Sequence, residues 1–180
     1  MATFEPDERQ KRHALFPHVH NEIDQFVRML GEPSPSQVPW QNAQTESIAV
    51  HARCLTDFFN GAMERSQTHD DVLVRDYSFT KTYSDPVILD RSNKDIAHLT
   101  YSRIERYPEQ STWRIDDLQP LLAVCEEFVI HLLRTGMIAA YGHDTVPWLA
   151  LEANLKSLSR QLVTATGAGQ GSGKSTVTLK

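Results

Sequence analysis

Apolar residues in this chain return at every third or fourth position along most of its length, and that spacing predicts helices almost everywhere. Phe16, Val19, Ile23, Phe26, Val27 and Leu30 form one stripe, and Ile48, Ala52, Leu55, Phe58, Phe59 and Ala62 form a second. Between them "GEPSPSQVPW" reads as a linker, because proline lacks the amide hydrogen that a helix interior requires. Asp85 followed by Pro86 is a helix-start signal, an N-cap acceptor before a residue whose φ is already helical. It predicts a third helix through Leu89, Ile96, Leu99 and Arg103 toward Tyr107. A fourth, broad apolar face runs from Leu118 through Leu122, Phe128 and Leu133 and stops at Gly136; Trp148, Leu151, Leu155, Leu158 and Leu162 then recur at near-heptad spacing. The last stripe is expected to pack antiparallel against its neighbour. No stretch alternates as a strand would, and no internal repeat is present. The expected fold is therefore all-α, a single bundle of about five mostly antiparallel helices. Residues 1–42 are read as an N-terminal helix and Pro/Ser linker, 43–165 as the bundle core, and 166–180 as a flexible Gly/Ser tail.

At 180 residues and 40% hydrophobic content, the chain is the size of one domain with a real core. The start "MATFEPDERQKR" has no apolar leader, and "LLAVCEEFVIHLL" is broken by Glu126 and Glu127. A soluble, cytoplasmic protein without a membrane partner is expected. The net charge of -5 argues against broad electrostatic capture of nucleic acid and leaves room for a local basic patch. Cys54 and Cys125 stand far apart inside apolar-periodic segments, which predicts two buried free thiols.

Two attractive patterns fail on context. The tail "AGQGSGKST" meets the relaxed spacing of a phosphate-binding loop, but that chemistry needs a strand before the loop and a helix after it. Here a helix is expected before it, and the chain stops at Lys180. His18, His20, Glu22 and Asp24 in "HVHNEID", and Glu127 with His131, carry metal-ligating groups. Neither a His-Glu-x-x-His run nor paired Glu-x-x-His motifs occur; Asp95-x-x-His98 stands singly. No metal and no cofactor are expected. His51, beside the second stripe, is read as a hydrogen-bonded histidine at the edge of the core.

Functional interest concentrates in "LDRSNKDIAHLTYSR", from Leu89 to Arg103. On a continuous helix Arg91 and His98 are nearly two full turns apart and emerge from one face, with Asn93, Lys94 and Asp95 between them. Asp95 precedes His98 by three positions, where it orients the imidazole and favours its protonated form. Cleaving RNA without metal requires a base for the 2′-hydroxyl proton and a cation for the charge developing on phosphate. Histidine and arginine supply both, so the candidate catalytic set is His98 as base, Arg91 as phosphate clamp, Asn93 or Lys94 as supporting donors, and Asp95 as orienting group.

An arginine and a histidine separated by six residues near the start of an inner helix, carried here by "RSNKDIAH", resemble the HEPN superfamily of small helical bacterial and archaeal proteins. The resemblance covers this motif and the helix pattern over roughly residues 43–165. It implies a homodimer whose two motifs meet in a composite RNase site, in toxin–antitoxin or phage-defence settings, with RNA and an antitoxin as partners. The superfamily also includes inactive and ligand-binding members. Other readings of the residues stay open. The motif can be a solvated polar face, or the chain a noncatalytic bundle that binds a small ligand or protein partner in a groove of Trp40, Tyr101, Trp113 and Trp148. A pure interaction protein would instead expose an apolar patch on the third helix or on "DDVLVRDYSF". Arg12 and His18 repeat a related spacing, interrupted by Pro17, and Arg12, His13, His18, His143 and Asp144 remain unassigned.

Overall fold

The computed structural model describes residues 4–33, 36–61, 71–92, 113–168 and 178–179. Helix α1 (Glu8–His13) opens on a reciprocal cap, in which Asp7 accepts from the Gln10 amide at 2.7 Å and the Gln10 side chain accepts from the Asp7 amide at 2.8 Å. A wider turn (Ala14–Val19) follows and contains Pro17. Phe16 is extended there (φ -138, ψ 125), as expected for a residue whose α region is crowded by the following proline ring. Helix α2 (His20–Gly31) then buries Ile23, Phe26, Val27 and Leu30, the stripe its periodicity marks out.

Helix α3 (Val38–Phe59) begins earlier than the linker reading places it, since Val38, Pro39 and Trp40 already belong to its first turn. Proline is accommodated because the first amides of a helix have no intrahelical acceptor. Gln44 joins the two helices by donating to the Met29 carbonyl at 2.9 Å and the Glu32 carbonyl at 3.1 Å, satisfying groups at the end of α2.

The "DDVLVRDYSF" segment does not form an exposed apolar patch. Leu73, Val74, Tyr77 and Phe79 are all buried, around a short 3₁₀ turn (Val74–Tyr77), and only Val72 of its apolar residues is exposed. The cause is aromatic packing: Phe128 sits 6.0 Å from Tyr77 and 5.4 Å from Phe79, ring centre to ring centre. The Tyr77 hydroxyl also donates to the Lys11 carbonyl at 3.1 Å, tying this segment to α1.

Helix α4 (Pro86–Arg91) starts at the Asp85-Pro86 signal. The Asp85 carboxylate accepts from the amides of Val87 at 2.8 Å and Ile88 at 3.2 Å. Ile88 is buried while Val87 is exposed. The expected continuation toward Tyr107 lies outside the described residues.

Helices α5 (Ile115–Thr135), α6 (Met137–Ala140) and α7 (Val146–Ala168) complete the bundle. Gly136 ends α5 in the left-handed region (φ +69), which an L side chain rarely occupies. The Asp144 side chain accepts from Val146 at the start of α7. Ser159 donates to Glu126 at 3.1 Å, joining the middle of α7 to the middle of α5. Their facing stripes, including Leu122, Phe128, Leu132, Trp148, Leu151 and Leu155, belong to one buried cluster with α2 and α3. Thr178–Leu179 pairs antiparallel with Trp113–Arg114, a two-residue contact that adds no sheet layer. Because α7 runs to Ala168, the glycine-rich run follows a helix, not the strand a phosphate-binding loop needs; residues 169–177 lie outside the described residues. The fold is all-α, and among the described residues no helix is long and apolar enough to cross a membrane.

Candidate functional site

Of the five motif residues, Arg91 is described; Asn93, Lys94, Asp95 and His98 lie outside the described residues. Arg91 occupies the last turn of α4, and its side chain is only 13% exposed. Its Nη1 lies 3.9 Å from a carboxylate oxygen of Asp117 in the first turn of α5, whose side chain is half exposed. A pair this long, with one partner in solvent, contributes no more than about 1 kcal/mol, so its effect is chiefly on position. Next to it, the Ser92 hydroxyl is buried and donates to the Ile88 carbonyl at 2.7 Å. The same hydroxyl lies 3.4 Å from the Ala49 carbonyl, so α4 is seated against α3 at the start of the motif. Asp117 carries no local sequence signal; only the tertiary fold brings it to Arg91.

The metal-ligating side chains singled out by sequence are dispersed and engaged elsewhere. Glu22 accepts from His51 Nδ1 at 2.7 Å, which makes His51 the hydrogen-bonded core-edge residue expected of it. Asp24 pairs with Arg28 at 2.9 Å, and Glu127 pairs with Lys81 at 2.6 Å. His131 Nε2 donates to the Tyr77 carbonyl at 3.0 Å, and His18 is exposed. His20 is buried between Phe16 and Trp148, with ring centres 5.2 Å and 4.9 Å away. Among the described residues, no group of three or more His, Cys, Asp or Glu side chains is arranged to hold a metal ion.

Both cysteines are free, but only Cys125 is buried; Cys54 is exposed. Position 54 lies on the flank of α3, about 100° around the helix from Leu55, which takes the core position instead. Partial desolvation, then the Glu22 and Asp57 carboxylates, push the Cys54 thiol up from its ordinary value. Complete burial pushes the Cys125 thiol up further. Of the residues read as an aromatic groove, Trp40 is largely exposed and Trp148 is fully buried in the core. Tyr101 lies outside the described residues.

A different cluster forms at the N-terminal end of the fold. Arg9, Arg12 and His13 occupy positions i, i+3 and i+4 of α1 and therefore share one face. They meet His143 from the α6–α7 loop and the Phe16 ring around a cleft of about 350 Å³. His143 Nε2 donates to the Arg12 carbonyl at 2.9 Å, since a carbonyl oxygen only accepts. This fixes the loop on α1. The Phe16 and His143 rings lie 5.5 Å apart. Gly142 has φ +73, and a Cβ there would stand 3.3 Å from Arg12 Nη2, so the loop backbone passes close under the guanidinium. Arg12, His13 and His143 were visible as chemistry-bearing residues; Arg9 was missed, although its three- and four-residue spacing to Arg12 and His13 was a usable signal.

No family model, no curated protein and no solved structure matches the chain.

Proposed function

We propose that this chain is a HEPN-like helical protein acting as a metal-independent endoribonuclease through Arg91 and His98. The observation that carries the reading is Arg91 itself. A helix beginning at Asp85-Pro86, seated on α3 through Ser92, holds its guanidinium in a restrained place beside Asp117. An arginine so restrained loses little freedom when it clamps a phosphate. His98 takes the proton from a ribose 2′-hydroxyl, the 2′-oxygen attacks the adjacent phosphorus, and the 5′-oxygen leaves with a proton. The products are a 2′,3′-cyclic phosphate and a 5′-hydroxyl. Arg91 offsets charge on the phosphate, Asn93 or Lys94 adds a donor, and Asp95 orients the imidazole. Two copies meeting through this motif form the composite site, and an antitoxin is the partner of the toxin setting.

Cleavage of mixed single-stranded RNA in EDTA, by the wild-type chain beside a folded His98→Ala variant, tests this directly. Loss of cleavage in the variant is expected. Equal cleavage by both, or none by either across several RNAs, would overturn the nuclease reading.

The burial of Arg91 and its pairing with Asp117 favour a second reading, in which the motif is a structural polar face and the chain is a noncatalytic bundle that binds a ligand or partner.

A further inference from the structure

Outside the motif, Arg9, Arg12, His13, Phe16 and His143 line one cleft among the described residues. The chain is acidic overall, with a net charge of -5, so a cleft walled by two arginines and two histidines runs against the background. Among the described residues no carboxylate lines it, and the acidic groups nearest in sequence are committed elsewhere. Glu8, on the same helix, binds Lys11 at 2.8 Å, which holds its carboxyl below the usual range. Asp144, next to His143, accepts from the Val146 amide at 2.9 Å. Among the described residues neither Arg9 nor Arg12 is ion-paired.

The geometry points to a binding site for a phosphate monoester with a flat organic group, its phosphoryl oxygens held by Arg9 and Arg12 and its ring seated against Phe16 and His143. The planar guanidinium fork matches phosphate oxygens, and two such forks on one helix face converge on a dianion. The cleft of about 350 Å³ falls within the range of small-molecule sites. Phe16 and His143, 5.5 Å apart, supply the apolar wall that distinguishes an organic phosphate from the bare ion. The site is largely preformed: the His143 bond to the Arg12 carbonyl and the close Gly142 backbone hold the loop against α1 without using the arginine side-chain donors.

Calorimetric titration of the full chain with phenyl phosphate, inorganic phosphate and phenol tests the proposal without RNA, so it succeeds or fails independently of the nuclease reading. Saturable binding of phenyl phosphate is expected, at least about tenfold tighter than either fragment. Arg9→Gln with Arg12→Gln should weaken it by at least about tenfold, the effect of losing charge-assisted bonds. The backbone bonds of Arg12 and Lys11 survive these changes; the single variants Arg9→Gln and Arg12→Gln, both at exposed positions, give the same comparison if the double variant does not fold. No saturable binding, equal affinity in the folded variants, or inorganic phosphate binding as tightly as phenyl phosphate would each overturn it.

Discussion

Phe128→Ala should cost this fold more than almost any other single truncation. The ring is fully buried where α3, the 73–79 segment and α5 meet, with Phe58 at 5.3 Å, Phe59 at 5.7 Å, Tyr77 at 6.0 Å and Phe79 at 5.4 Å between ring centres. Truncating a buried phenylalanine costs about 3–5 kcal/mol in lost transfer and cavity terms. Losing edge-to-face contacts on several sides places this site near the upper end, at about 4–5 kcal/mol. Against a total of about 5–15 kcal/mol for a domain, the variant keeps a folded population but little margin. With a urea slope of about 2 kcal/mol/M, the midpoint should fall by about 2 M, read by far-UV circular dichroism with an unchanged slope. Phe128→Leu, which keeps most of the apolar area, should lose only about 1–2 kcal/mol. A loss below about 1.5 kcal/mol for the alanine variant would refute the reasoning that this aromatic cluster anchors the 73–79 segment to the bundle.

Other outcomes follow from particular side chains. A thiol reagent should label one cysteine, Cys54, in the native protein and two after denaturation; because the Cys54 thiol is pushed up, labelling should be slow at neutral pH and accelerate as pH rises. The Asp57 carboxyl is pushed up by desolvation, with the Arg53 guanidinium opposing it, so the folded state holds its proton more tightly than the unfolded chain does. That contribution is present below the ordinary carboxyl value and is lost as pH rises through the folded-state value. Asp57→Asn should therefore raise thermal stability at neutral pH, by less than about 1 kcal/mol after solvent screening, with the gain vanishing in acid. Gly142→Ala should destabilise by about 1–2 kcal/mol in chemical denaturation, since φ +73 is strained for alanine and its Cβ would crowd the Arg12 guanidinium.

The helices were legible because burial acts through a period that the chain displays openly: the stripes from Ile23 to Leu30, Ile48 to Phe59, Leu118 to Leu132 and Trp148 to Leu158 are the ones buried. The start of α4 was legible from two adjacent residues, Asp85 and Pro86, whose capping chemistry is local. What tertiary contacts decide was not. Leu73, Val74, Tyr77 and Phe79 carry no helical period, and their burial depends on aromatic partners far along the chain. Cys54 sits in an apolar segment but on its flank, a distinction that depends on which helix packs where. The join between linker and α3 was blurred because proline both breaks helices and begins them. Arg91 stands out through its motif, whereas Asp117, which the fold brings beside it, comes from another helix and carries no such signal. The cationic cleft was half legible, through Arg12, His13 and His143; its assembly needs the α6–α7 loop folded onto α1.

The most direct test of the nuclease account uses the chemistry of the 2′-hydroxyl. The wild-type chain is incubated in EDTA with a single-stranded RNA and with the same sequence carrying 2′-O-methyl groups throughout, and the product ends are determined by mass spectrometry. The account predicts cleavage of the unmodified RNA to 2′,3′-cyclic phosphate and 5′-hydroxyl ends and no cleavage of the methylated strand, because His98 would have no proton to remove and no nucleophile to generate. Cleavage of the methylated strand, or no cleavage of either, would contradict it.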